Sequence, residues 1–314
     1  MYCYKLYGLT VSSQLRIPDA GGSALPCGET TDVTLTLDIV PEFRADEKLE
    51  KLTDSWYYSA PDPQLFYMHC DGYDFEISDG RRITVDAHDQ DIESSGLVTY
   101  ILGSAFGVIG MQRGLIPIHG AAISVGDTSV IITGHSGSGK SAILSELLKA
   151  GYRYLADDVC MVSIENGSPC VFPSYPQRKI TAITAEDTGE DISGITPQNE
   201  DGREKYIVRK DSEWLDKTLL LSHIVEIVPM VRENQPYFTP EIKRITGHAS
   251  LRMVLRNQYR HRFAASIGTS PERMKRLLMI TSSIKTCQVV RPAGGFPLQQ
   301  TARMIIDKCF SAYE

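Results

Sequence analysis

Residues 134–141 read GHSGSGKS, in which Gly134, Gly139, Lys140 and Ser141 satisfy G-x-x-x-x-G-K-[ST]. In a chain of this length four such positions coincide by chance on the order of once in a hundred sequences. The flanks narrow it further, because the β-branched run TSVIIT precedes the octet and SAILSELLKAGYR follows it. The motif works only between a strand and a helix. Glycines let the backbone turn its N–H groups inward around an anion, and the helix N-terminus adds the positive end of its dipole. The octet therefore predicts an α/β core with Gly134, Ser136, Gly137, Ser138, Gly139, Lys140 and Ser141 around the phosphates of a nucleotide. Lys140 reaches the terminal phosphates, and the Ser141 hydroxyl is a ligand for Mg2+.

Around this anchor the hydrophobic period changes along the chain. DVTLTLDIV, QLFYMHC, YDFEIS and RRITVDA alternate as strands do, so residues 1–94 are expected to form a β-rich N-terminal domain. SGLVTYILGSAFGVIGMQRG (95–114) has the spacing of a buried helix and opens a second domain, 95–314. There IPIHGAAISV, a Gly126-Asp127 turn and TSVIIT predict a hairpin leading into the octet, and YLADDVCMVSI and HIVEIVPMV are further strands. The pattern predicts helices over 249–267 and 271–281, then the strand TCQVVRP and the helix LQQTARMIIDKCF. Residues 186–216 hold ten Asp or Glu against four Lys or Arg and are expected to be a long surface insertion, able to order on binding.

Phosphate binding alone does not define a reaction. After the octet helix, Asp157 and Asp158 stand side by side where a nucleotide switch needs one carboxylate. At an irregular strand end the two can converge, one on a metal and one on an acceptor hydroxyl, as phosphoryl transfer requires. His119 lies in the strand before the octet strand. Whether it sits at the octet end or the far end depends on the strand pairing.

His119-Gly120, the hairpin, GHSGSGKS, Gly151-Tyr152-Arg153 and Leu155-Ala156-Asp157-Asp158 together resemble the catalytic domain of HPr kinase/phosphorylase, closely over about 116–162. The resemblance implies an HPr-kinase-like P-loop core, related to phosphoenolpyruvate carboxykinase, behind a β-rich N-terminal domain. It also implies ATP-dependent phosphorylation of a serine hydroxyl, with Asp157 as general base, His119 beside it, Lys140 on the phosphates, and Ser141 and Asp158 at the metal. PSYPQRKI (173–180) is similar to a run in lasso-peptide tailoring kinases, which implies the C-terminal serine of a precursor peptide as acceptor. The acidic insertion replaces the glycine-rich segment of true HPr kinases, so another carrier protein, a small molecule, or nucleotide-gated binding without transfer stay open.

Arg178 and Lys205 are put forward as phosphate contacts, with Lys179 a third cation, the alternative for each being a solvated charge. Arg252, Arg256 and Arg260, at i, i+4 spacing, predict a basic helical stripe. DAHDQDIE (86–93) has the residue types of a metal site without the spacing and is expected to be a polar turn. A net charge of −7 excludes coating of nucleic acid by overall charge. Seven scattered cysteines without a C-x-x-C pair are expected to be reduced thiols, in keeping with a cytoplasmic location. No uninterrupted run of eighteen apolar residues occurs, so no membrane span is expected. The partners expected are a peptide or protein with an acceptor serine, no nucleic acid and no membrane, with an oligomer open.

Overall fold

The computed structural model describes residues 1–20, 28, 30–200, 203–233, 237–294 and 298–310. It is a mixed α/β structure whose N-terminal part is β-rich. The chain forms two compact units, Met1–Pro117 with Gln258–Met274, and Ile118–Asn257 with Lys275–Glu314.

In the first unit eight strands make one sheet. They are β1 (Tyr2–Leu6), β2 (Leu9–Ser13), β3 (Val33–Leu37), β4 (Glu50–Thr53), β5 (Trp56–Asp62), β6 (Leu65–Cys70), β7 (Tyr73–Ser78) and β8 (Arg82–Asp86), in the order β1-β2-β3-β8-β7-β6-β5-β4. Alternation in β6 and β7 sends Phe66, Met68, Phe75 and Ile77 to the interior, each worth about 2 kcal/mol of burial. The helix Ser95–Gln112 packs with this sheet, so the units divide after residue 117 and not at 94. Gln112 explains why: its amide donates to the Ile77 carbonyl (3.0 Å) and accepts from the Gly80 N–H (2.9 Å). By length and composition alone this helix could cross a membrane, but 72% of it is buried inside the fold. DAHDQDIE does form a turn, in which His88 Nε2 meets Asp74 (2.8 Å). Cys3 is disulfide-bonded, which corrects the expectation of reduced thiols throughout.

The second unit is built on β9 (Ile116–Val125), β10 (Thr128–Thr133), β11 (Arg153–Ala156), β12 (Val159–Glu165) and β13 (Ser168–Val171), followed by β14 (Arg178–Ile180), β15 (Gln198–Glu200), β16 (Arg203–Val208), β17 (Leu219–Met230), β18 (Glu241–Ile245) and β19 (Lys285–Pro292). The main sheet runs β10-β9-β12-β13-β17-β19-β18, and β10 also pairs with β17, so five of its strands close on themselves. The helix Lys140–Lys149 lays Ile143, Leu144 and Leu147 on Val225, Ile227 and Val289, with Ala302 and Ile305 completing the cluster. The acidic stretch is ordered where it is described: β16 pairs with β14 and β15, giving a three-stranded sheet. Asp201 and Gly202 of that stretch lie outside the described residues. The helix expected over 249–267 breaks into His248–Arg256 and His261–Ile267, with Arg260 in the left-handed region (φ 48°). The break removes the basic stripe. Arg256 is bound to Glu226, and Arg260 stacks over the Trp56 ring at 4.4 Å.

Candidate active site

The hairpin register answers where His119 goes. Thr133, the last residue of β10, pairs with Gly120, so His119 stands beside the end of β10 from which the octet departs. The Thr133 hydroxyl donates to the His119 carbonyl (2.6 Å), and the His119 N–H donates to the Asn257 carbonyl (2.9 Å). Asn257 is itself held by Glu226, a fully buried carboxylate that also accepts from Gln288 (2.7 Å) and Arg256. Burial would raise Glu226, but these donors outweigh it and hold the carboxyl below its usual range. Glu226 escaped the sequence reading. Its signal is a single carboxylate inside the apolar run HIVEIVPMV, which must be paired to be buried.

The octet forms a loop around the start of its helix. Gly134 (φ 140°) and Gly139 (φ 96°) occupy backbone regions that side chains resist. A Cβ on Gly134 would lie 2.6 Å from the Ile227 carbonyl oxygen and 2.8 Å from Ser138 Oγ. Gly134→Ala is therefore expected to destabilise the unit by about 2 kcal/mol or more and to abolish nucleotide binding. Thermal unfolding and titration with a fluorescent nucleotide check it, and an unchanged midpoint with unchanged affinity would contradict the geometry. Lys140 Nζ donates to the carbonyls of Gly134 (2.8 Å) and His135 (3.1 Å), crossing the mouth of the loop.

β11 stops at Ala156 and β12 starts at Val159, and the residue that breaks the strand is Asp158, at φ 73°. In a continuous strand neighbouring side chains point to opposite faces. The left-handed residue cancels that alternation, and both carboxylates line one cavity of about 1150 Å³ with Ser136, Gly137, Gly139, Lys140 and Ser141. His119 Nδ1 is 3.1 Å from the Asp158 carbonyl oxygen and 3.3 Å from its Oδ1. Both neighbours accept, so Nδ1 carries the proton.

The small sheet supplies the facing wall. On β14 the side chains alternate, and Arg178 and Lys179 go to opposite sides. Arg178, expected at the phosphate, does not line the cavity. It is 1% exposed and donates to Ser145 Oγ (3.2 Å), Glu190 (2.9 Å) and Glu213 (3.0 Å). Lys179 takes the cavity side: its N–H donates to Asp157 Oδ2 (2.9 Å) and its ammonium lies 3.5 Å from Asp158 Oδ2. Lys205, on β16, lines the same wall, as does Ile183 from the helix Ala182–Thr188, an isoleucine 72% exposed.

The two carboxyls are driven apart. Burial raises Asp157 above its ordinary value and the charge of Asp158 adds to this, against the Lys179 N–H. At Asp158 burial pushes the same way, but the Lys179 ammonium and the His119 ring outweigh it and hold the carboxyl well below the usual range. One carboxyl thus holds its proton more tightly than an ordinary aspartate and its neighbour less tightly.

The pocket fits a nucleotide with its metal. Ser138 Oγ is buried in the loop without a hydrogen-bond partner among the described residues, and Gly137 and Gly139 line the cavity. Among the described residues no cluster of His, Cys, Asp or Glu would hold a cation by itself. Ser141 and an ionised Asp158 are the kind of sparse oxygen set that Mg2+ completes with phosphate oxygens and water.

No family model matches the chain. It is 38% identical over 56 residues to the HPr kinase/phosphorylase of Treponema pallidum, a stretch that is 18% of each chain. To that of Clostridium botulinum it is 37% identical over 79 residues, 25% of each chain. Among solved structures, the Hpr(Ser) kinase/phosphatase from Coxiella burnetii overlays with a TM-score of 0.33 at 12% identity, covering 63% of this chain and 99% of that one. The chain thus spans a fifth to a quarter of the length of the curated relatives it matches, and over those stretches it is similar to HPr kinase/phosphorylases.

Proposed function

We propose that this protein is an ATP- and Mg2+-dependent kinase that phosphorylates a serine hydroxyl of a peptide, in its specific form the C-terminal serine of a lasso-peptide precursor, in the cytoplasm. The observation that carries the reading is the buried, inequivalent pair Asp157 and Asp158, sharing one cavity with the GHSGSGKS loop. A protein that only binds nucleotide has no use for a second carboxyl of raised basicity there. In this reading the loop backbone and Lys140 hold the phosphates, and Ser141 and Asp158 hold the metal. Bound ATP with Mg2+ supplies a γ-phosphoryl group whose charge is partly neutralised.

The chain's own residues do the rest. Asp157 accepts the proton of the acceptor hydroxyl, and the Lys179 N–H on Oδ2 orients the carboxylate for it. Lys140 and Lys179 carry the positive charge that steadies the transferring group, with Lys205 lining the same cavity. His119 fixes Asp158 and so keeps the anion from turning onto Asp157. The carbon wall of Ile183 and Leu298 is a surface on which a peptide acceptor can rest. The PSYPQRKI run is the segment that delivers Lys179, since the Ser174 N–H is anchored on the Leu155 carbonyl (2.9 Å).

The test is incubation with ATP, Mg2+ and a lasso precursor ending in serine, read by mass spectrometry. One added phosphate on the terminal serine is the expected result. A gain on internal serines only, or on other peptides, would remove the lasso form and keep the kinase. Slow ATP turnover with no labelled acceptor would favour a nucleotide-gated binding module.

A further inference from the structure

β19 ends in Val289-Val290-Arg291-Pro292, and Arg291 has no part in the chemistry proposed so far. Its side chain is buried, 5% exposed, yet reaches the wall of the cavity. Nε and Nη2 both donate to the backbone carbonyl of Ser138, at 2.9 and 2.8 Å, and Nη1 donates to the carbonyl of Pro292 at 2.6 Å. A guanidinium has a fork geometry suited to carboxylate or phosphate, and here the fork closes on one carbonyl of the octet.

That carbonyl belongs to the Ser138–Gly139 peptide, whose other end is the N–H at the start of the helix. In a trans peptide the C=O and N–H point in opposite directions, so fixing the oxygen fixes the N–H. This peptide is one that could rotate, because Gly139 stands at φ 96°, where glycine crosses between conformations without a side-chain penalty. Turned over, it would aim an oxygen instead of an N–H at a bound anion. Two charge-assisted bonds on the oxygen oppose that rotation, and by polarising the peptide they make the Gly139 N–H a stronger donor.

We propose that Arg291 is a positioning residue of the anion cradle: its fork holds the Ser138–Gly139 peptide in the orientation that offers N–H to the phosphates of a nucleoside polyphosphate. The proposal rests on the nucleotide reading of the octet and extends it to a residue some 150 positions away in sequence. It makes the end of β19 part of the binding site without contact chemistry of its own.

The experiment titrates ADP into the full chain by calorimetry, comparing wild type with Arg291→Lys, Arg291→Met and Arg291→Ala, each checked for folding by circular dichroism. Lysine keeps the charge but cannot form the fork. ADP affinity is expected to fall roughly tenfold or more in all three. Millimolar guanidinium is expected to restore much of the affinity of Arg291→Ala while leaving wild type unchanged. A purely structural role would give the opposite response, because guanidinium would then only weaken a destabilised fold. ADP affinity within twofold of wild type in any folded variant, or no recovery with guanidinium, overturns the proposal. If Arg291→Met and Arg291→Ala do not fold, Arg291→Lys and Arg291→Gln carry the same comparison. Wild-type protein that binds no ADP overturns the nucleotide reading as well, and is told apart because it fails before any variant is compared.

Discussion

Asp157→Asn is expected to reduce phosphoryl transfer by about 10²–10⁴-fold while ADP binding stays within a few-fold of wild type. The amide is nearly isosteric and its oxygen can still accept the Lys179 N–H, but it cannot take a proton. Single-turnover transfer from ATP, measured beside ADP titration, separates the two effects. A variant with ordinary transfer would remove Asp157 as base, and a variant that loses ADP binding would make it part of the nucleotide site instead. The raised pKa of Asp157 adds a signature: wild-type transfer should rise with pH through a value above that of an ordinary aspartate. Linkage gives the matching sign for stability. A carboxyl whose folded pKa lies above its unfolded one stabilises the fold below the unfolded value and loses that contribution as pH rises through the folded one. The neutral asparagine escapes this loss, so Asp157→Asn should unfold no earlier than wild type near neutral pH.

Arg178→Met should have the second large effect, on stability and not on chemistry. It would leave Glu190 and Glu213, which Arg178 now bridges, with Lys210 as the remaining cation on both. Removing the buried guanidinium from these partly buried carboxylates, with one lysine left between them, costs about 3 kcal/mol. The loss should also loosen the small sheet from the cradle helix, because the same guanidinium donates to Ser145 on that helix. Denaturant unfolding of wild type, Arg178→Met and Arg178→Lys near neutral pH measures it, with lysine expected to fall between the other two. Burial would raise Glu190, but Lys210 and Arg178 outweigh it and depress its pKa. Its contribution is therefore present above the unfolded pKa and is lost as pH falls through the depressed folded one. The gap between wild type and Arg178→Met should narrow in acid below the ordinary carboxylate range. A gap that is absent at neutral pH, or constant into acid, would show that the charges around Arg178 do not matter to the fold.

The arginine and its neighbour mark how far one-dimensional reading goes. Arg178 and Lys179 are adjacent cations after the same Pro-Tyr-Pro turn, and nothing local tells which one meets the ligand. The pleat of β14 gives one to a buried ion cluster and the other to the cavity, and which face is which depends on pairing with β16, roughly thirty residues away in sequence. The arginines at 252, 256 and 260 show a related limit. Their spacing is helical, but Asn257 is drawn out of the helix to hold Glu226 and the His119 strand, and the stripe disappears. The composition of the acidic stretch predicts an insertion, while its order comes from strand pairing that composition does not encode.

By itself the sequence determined the glycine-rich GHSGSGKS loop, the strand before it and the helix after it, and the presence of two carboxylates close behind. These are local: glycine positions, β-branched runs and helical periodicity act within a few residues of one another. Only the tertiary structure decided that His119 lies at the cradle end of its hairpin, that a left-handed Asp158 turns both carboxylates into one cavity, and that Lys179 and Arg291 come to that cavity from strands far along the chain. The reason is the range of the forces. Backbone preference is set by neighbours, whereas strand register, the pairing of buried charges and the unequal basicity of Asp157 and Asp158 arise from groups that are close only once the sheets have closed.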